Sequence, residues 1–158
     1  MRILFASDHA GYELKEKLVS FVEHELGFEV VDKGAFSCNQ DDDYPDIIKL
    51  VAEEVSHNPD ESMGIVLGGS GTGEAIVANR FPNVRSALYY GGPLEIVSLS
   101  REHNNANVLS LGARFLNADE AKAAVKIWLE TAFSQEERHV RRIEKIENVM
   151  INKLTPRA

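Results

Sequence analysis

Hydrophobic and polar positions along this chain follow two alternating rhythms. Short apolar runs occur at residues 3–6 (Ile-Leu-Phe-Ala), 28–32 (Phe-Glu-Val-Val-Asp), 64–67 (Gly-Ile-Val-Leu), 84–88 (Val-Arg-Ser-Ala-Leu) and 106–111 (Ala-Asn-Val-Leu-Ser-Leu). Runs of this length read as strands. Between them, apolar residues return at helical spacing: Leu14, Leu18, Phe21, Val22 and Leu26, then Ile47, Ile48, Val51, Ala52 and Val55. Gly27 reads as a helix stop, Pro45 suits a helical first turn, and Asn58-Pro59-Asp60 ends the second helix. Further helices are expected over 75–80, closed by Pro82, and over 94–102. Another starts at Asn117 or Asp119 and bears Ala121, Ala124, Val125, Trp128 and Leu129; a last one covers about 135–153.

Five strand–helix alternations predict an α/β fold with a single doubly wound, five-stranded parallel sheet and a C-terminal helix. The expected strand order is 2-1-3-4-5, with helices on both faces. Ligands of such sheets sit at the carboxyl ends of the strands, where the order reverses. Here the reversal falls between strands one and three. It places Asp8 and His9, after the first strand, beside the loop after the third.

That loop is Gly68-Gly69-Ser70-Gly71-Thr72-Gly73-Glu74. Its glycines let the backbone turn sharply and approach a ligand, and N–H groups at a helix start attract an anion. No Gly-Lys-Ser/Thr ending follows, and the glycine spacing is not that of a dinucleotide fingerprint. Glu74 would compete with a phosphate bound at this point. A carboxylate here suits a base beside a hole for a developing oxyanion, although a first-turn acid also favours a helix N-terminus by itself.

Composition narrows the partners. The 158 residues are 44% hydrophobic and 27% charged, with a net charge of −8. That charge argues against nucleic acid or an anionic membrane surface as the main partner, and it means a phosphate site must be built locally from a few cations. Cys38 is the single cysteine, which excludes an internal disulfide and fits a cytoplasmic setting. No chemistry is assigned to it. No apolar run is long enough to span a membrane, and no secretory leader pattern opens the chain. His24 and His57 read as surface residues. His103, in Arg101-Glu102-His103-Asn104-Asn105, is open to two readings: a helix C-terminal cap or an acid–base group. Arg138 and Arg142, one helical turn apart, make either a phosphate clamp or a solvated face paired with Glu136, Glu137 or Glu144. The histidines do not pair at metal-ligand spacing, and no metal is expected.

Six motifs in order, over about residues 1–147, resemble the type B ribose-5-phosphate isomerase family, which includes the galactose-6-phosphate isomerase subunits. They are Ser7-Asp8-His9-Ala10-Gly11, Asp43-Tyr44-Pro45-Asp46, the glycine loop with Ala78-Asn79-Arg80, Arg101-Glu102-His103-Asn104, Leu111-Gly112-Ala113-Arg114 and Arg138-His139-Val140-Arg141-Arg142. The resemblance implies interconversion of ribose 5-phosphate and ribulose 5-phosphate through a cis-enediolate, without metal or other cofactor. It implies that His103 opens the sugar ring, with Asp8 and Asn104 orienting hydroxyls. Ser70 and the N–H groups around Gly71 and Gly73 would form the anion hole, and Gly69 would help bind the substrate. His9, Arg114, Arg138 and Arg142 would hold the phosphate, and Tyr44 would wall the pocket. It also implies a homodimer or dimer of dimers, because the family's active site lies between two subunits. Many members carry a cysteine as proton carrier where this chain has Gly68. A subgroup uses a glutamate at the start of the following helix, which Glu74 matches. The 89–93 segment (Tyr-Tyr-Gly-Gly-Pro) departs from the family pattern. A tetrose or hexose phosphate therefore stays open as substrate, and Gly68 keeps open a non-catalytic phosphosugar-binding subunit.

Overall fold

A computed structural model describes residues 1–154 of the chain, with side chains described through residue 149. Five strands alternate with helices: β1 (Arg2–Ser7), α1 (Tyr12–Ser20), β2 (Glu29–Asp32), α2 (Tyr44–His57), β3 (Ser62–Gly68), α3 (Thr72–Ala78), β4 (Ser86–Tyr89), α4 (Glu95–Asn104), β5 (Val108–Gly112), α5 (Ala118–Glu130) and α6 (Glu137–Leu154). A π-helical turn, Phe21–Glu25, extends α1, and Gly27 follows it at φ +75°. Pro45 lies in the first turn of α2. Asn117 caps α5 in a reciprocal capping box with Glu120, settling the choice of start.

All pairings are parallel, and the strand order is 2-1-3-5-4. The expected order 2-1-3-4-5 is thus corrected: β5 lies inside the sheet and β4 at its edge. Burial explains the exchange. Every residue of β5 is buried, whereas only Tyr89 of β4 is. The more continuously apolar strand takes the central place, where both faces are covered.

This order sorts the helices. Residues of α1, α4 and α5 (Leu18, Val97, Trp128) close one face over Ile3, Phe5, Ile65 and Leu109. Residues of α2 and α3 (Ile48, Val51, Ala78) close the other over Leu4, Ala6, Val66 and Val108. Strand residues alternate between the two cores, as the period of two requires. The helix after β3 and the helix after β5 leave on opposite faces, so the crevice of the sheet extends across β1, β3 and β5 at their carboxyl ends. Lys15 of α1 is fully buried and bonded to Asp32 at the end of β2.

Candidate active site

The glycine loop leaves β3 at the carboxyl edge, and both neighbouring strands supply loops to it. Asp8 N donates to Leu67 O at 3.3 Å, and Gly11 N donates to Asp8 Oδ1 at 3.0 Å. Ala113 N and Arg114 N donate to Gly68 O and Gly69 O at 2.9 and 3.0 Å. The last two bonds exist because β5, not β4, neighbours β3. Asp8 and His9 come to the loop from one side and Arg114 from the other.

Three glycines of the loop lie directly under side chains of the candidate site. A Cβ added at Gly68 would stand 2.0 Å from Glu74 Oε1 and 2.1 Å from its Cδ, so the carboxyl group occupies the space a side chain at 68 would fill. A Cβ at Gly69 would meet the Arg114 guanidinium at 3.2 Å, and one at Gly73 would meet the Tyr44 ring at 2.7 Å. Gly71 is different. Its φ of +75° is a left-handed conformation, and it packs against the Leu111 backbone. Its carbonyl accepts from Ser110 Oγ at 2.6 Å, a buried bond that fixes the loop to β5.

Glu74 is 4% exposed. Burial pushes its carboxyl above the ordinary range, and the nearby Asp8 charge adds to the rise. Ser70 is exposed, and its Oγ accepts from Thr72 N at 3.2 Å. Among the described residues no protein acceptor takes the backbone N–H of Gly71 or Gly73. Those two groups remain available at the start of α3. Asp8, His9, Tyr44, Gly69, Ser70, Gly71, Gly73, Glu74 and Arg114 therefore converge on one edge. Tyr44 and Arg114 reach it from exposed positions, and His9 from a part-buried one.

His103, Asn104, Arg138 and Arg142 do not join them. Helix α4 starts after β4 at the carboxyl edge and runs back, so its end lies at the amino edge, just before β5. The five residues of β5 put about 16 Å between the two edges. His103 sits in the last turn of α4 and is not its cap. Asn105 takes that place at φ 44°, correcting the capping expectation. Arg101 anchors this turn: Nη1 donates to Ala106 O at 2.6 Å and Asn105 Oδ1 at 2.9 Å, and the guanidinium lies over the fully buried Trp128. Ser134 N then donates to Glu102 O and brings the chain into α6.

On α6 the His139 ring stacks on His103, with centroids 4.3 Å apart and planes 10° from parallel. His139 is 3% exposed, and its Nε2 has no hydrogen-bond partner among the described residues. Burial pushes its pKa down from 6.5, with His103 and Arg138 adding to the fall. In the sequence His139 lies inside the basic stretch, with nothing in composition to set it apart. Its signal was its position, one residue from Arg138 and so on another face of the helix. Arg138 itself is exposed and pairs with Glu136 at 2.8 Å, one of the two arrangements expected for it. Arg142 is exposed as well. In the 89–93 segment, Tyr89 is buried and its hydroxyl donates to Gly92 O at 2.8 Å; exposed Tyr90 tilts against Phe115.

A parallel α/β sheet with a glycine loop, a buried carboxylate and flanking cations at its switch point defines a class of small-molecule enzyme site. Comparison places the chain within that class. The ribose/galactose isomerase family matches residues 3–146, and the chain belongs to this family. It is 44% identical over 144 residues to ribose-5-phosphate isomerase B of Mycolicibacterium paratuberculosis, covering 91% of this chain and 88% of that one. It is 37% identical to ribose-5-phosphate isomerase B of Escherichia coli over 145 residues, covering 92% and 93% of the two chains. The crystal structure of ribose-5-phosphate isomerase B from Mycoplasma genitalium with bound ribulose-5-phosphate superposes with a TM-score of 0.88 at 38% identity, covering 98% of this chain and 97% of that one.

Proposed function

We propose that this chain is an aldose–ketose isomerase that interconverts ribose 5-phosphate and ribulose 5-phosphate, with Glu74 as the base. The observation that carries this reading is the seat of Glu74: a buried carboxylate lying on the bare Cα of Gly68, under a raised pKa, beside free N–H groups. The reaction needs one group that takes the proton from C2 and returns it to C1 of a planar enediolate. A carboxylate whose pKa is raised by burial does this near neutral pH. The C2 electron pair moves into the C1–C2 bond as the aldehyde oxygen takes up charge. The N–H groups of Gly71 and Gly73, with Ser70, stabilise that oxygen, an effect of roughly 3–4 kcal/mol per donor in other enzymes. His9 and Arg114 hold the phosphate, Asp8 orients a hydroxyl, and Tyr44 closes the pocket.

Ring opening requires a second acid–base group, and His103 is placed for it only on another copy. The edge that carries it cannot fold back onto its own Glu74. A second copy that presents its amino edge supplies His103, Asn104, Arg138 and Arg142 together. Helix α6 supports that arrangement, since Val140, Ile146 and Val149 are exposed along it. The working unit is therefore a homodimer with sites between subunits.

The test is NMR of ribose 5-phosphate with the protein in deuterated water, beside Glu74→Gln. The expected result is ribulose 5-phosphate carrying deuterium, lost in the variant. Binding without exchange at C2 would turn the reading toward a non-catalytic phosphosugar-binding subunit. The family also takes in galactose isomerases, so a hexose 6-phosphate is run alongside. Faster turnover of the six-carbon sugar would replace the pentose as substrate and leave the chemistry unchanged.

A further inference from the structure

The loops after β1 and β2 meet at one contact that the reaction scheme above does not use. His9 Nδ1 lies 2.6 Å from Asp42 Oδ1. Asp42 belongs to the polar segment between β2 and α2, in a run of three aspartates where Asp41 and Asp43 are exposed. Its side chain is only 10% exposed, and its Oδ2 has no hydrogen-bond partner among the described residues. A carboxylate withdrawn from water with one oxygen unsatisfied strongly favours a cationic partner for the other.

The groups around His9 come from three loops. Asp42 faces it from the β2–α2 loop, Asp8 from its own loop, and Arg114 from the loop after β5. Cys38 Sγ contacts its carbonyl oxygen at 3.7 Å. The hydrogen bond to Asp42 is the largest influence and raises the His9 pKa above 6.5; burial and the Arg114 charge oppose it, and Asp8 assists. A histidine that donates Nδ1–H to a carboxylate has its tautomer set and leaves Nε2 for a ligand.

We propose that Asp42 is a positioning residue for substrate phosphate: through its contact with Nδ1 it fixes the His9 ring, so that Nε2 and the Arg114 guanidinium face the phosphate together. The same contact favours the protonated form of the ring, which burial and the Arg114 charge oppose. The chain as a whole is acidic, with a net charge of −8, so holding one more local cation has a direct effect on anion capture. The inference rests on the reading that His9 and Arg114 hold the phosphate.

Its test pairs a titration with a binding measurement. The ring signal of His9, assigned by its loss in His9→Gln, is followed against pH by NMR in the unaltered chain, in Asp42→Asn and in Asp42→Glu. Ribose 5-phosphate is then titrated calorimetrically into Glu74→Gln, with and without Asp42→Asn, at about pH 6 and about pH 8, on either side of ordinary histidine titration. The expected result is a His9 titration displaced to lower pH in Asp42→Asn and largely restored in Asp42→Glu. Binding should weaken about tenfold at the higher pH, the worth of one charge-assisted hydrogen bond, and little at the lower. A substitution that merely loosened the loop would weaken binding equally at both. An unmoved His9 titration, or an effect on binding independent of pH, overturns the proposal. Turnover of ribose 5-phosphate by the unaltered chain is measured separately; its absence would reject the isomerase reading while the His9 titration still decides the role of Asp42.

Discussion

The two edges of the sheet carry chemically different surfaces. At the carboxyl edge, the buried Glu74 carboxylate sits in a seat shaped by backbone, with Gly68 below it and the loop tied to β5 through Ser110. At the amino edge, α4 and α6 present imidazoles and guanidiniums, and apart from His139 these are part-exposed or exposed. The first edge is finished within one chain. The second is held rigidly from behind by Arg101 and Trp128 yet faces outward. On the proposed homodimer, the difference teaches where the second copy would sit. A group that abstracts a carbon-bound proton needs shelter, which a strand end and a glycine loop supply. Groups that grip a phosphate or open a ring can be delivered from outside, by the opposite edge of a second copy.

The largest effect comes from breaking each edge in a separate chain. Glu74→Gln and His103→Ala should each lose at least about a thousandfold in turnover if each carries the acid–base role proposed for it. Mixed and allowed to exchange subunits, the two inactive proteins should recover about a quarter of wild-type activity. Half the dimers are then hybrids, and each hybrid holds one site with both native groups. Recovery measured after mixing tests the division directly; none at all would place His103 and Glu74 in the same chain's site or deny the dimer.

A smaller effect separates two glycines of the same loop. Gly68→Ala places a methyl where the Glu74 carboxyl lies. The obstacle is the free end of a side chain, so the fold should survive while the base is pushed out of position. Turnover should fall roughly 10–100-fold with KM little changed, within the range that misplacing a catalytic group costs. Gly71→Ala meets the Leu111 backbone and a left-handed φ, so it should lower the melting temperature as well. Steady-state kinetics beside thermal melts distinguishes the two. At the other edge, Arg142→Ala should raise KM several-fold and leave kcat near its native value, as expected for a phosphate contact made equally in ground and transition states.

Much of this arrangement was legible in the chain. The five alternations gave the sheet, and the switch point rightly brought Asp8 and His9 to the glycine loop. The order of β4 and β5 was not legible from periodicity, because both runs are short and apolar. Only the Arg85-Ser86 interruption hinted that β4 would be the edge. The separation of His103 from Glu74 needed no coordinates: a helix that follows a parallel strand must end at the opposite edge. Asp42 and His139 were hidden for a common reason. Each sits in a run of like charge that reads as solvated, and their burial depends on contacts 33 and 36 residues away, between Asp42 and His9 and between His139 and His103.

The finest comparison is of stability against pH, because the two edges should respond in opposite directions. Glu74 has a folded pKa raised above 4.5, chiefly by burial. Its ionised form costs the folded state stability, so the cost appears as pH rises through 4.5 and is complete above the raised value. Glu74→Gln should therefore melt a little above the parent at neutral pH, with the gain vanishing below about pH 4. His139 has a folded pKa depressed below 6.5 by burial and by its stacked neighbour. The unfolded chain takes up that proton first, so stability is lost as pH falls from 6.5 through the depressed value. His139→Gln should lack this acid loss, and its melting curve should run flatter than the parent's below about pH 6. Each shift is a few degrees at most, but the signs are opposite and the windows differ. Parallel profiles for the two variants would mean that the edges are electrostatically alike, and the contrast drawn between them would fail.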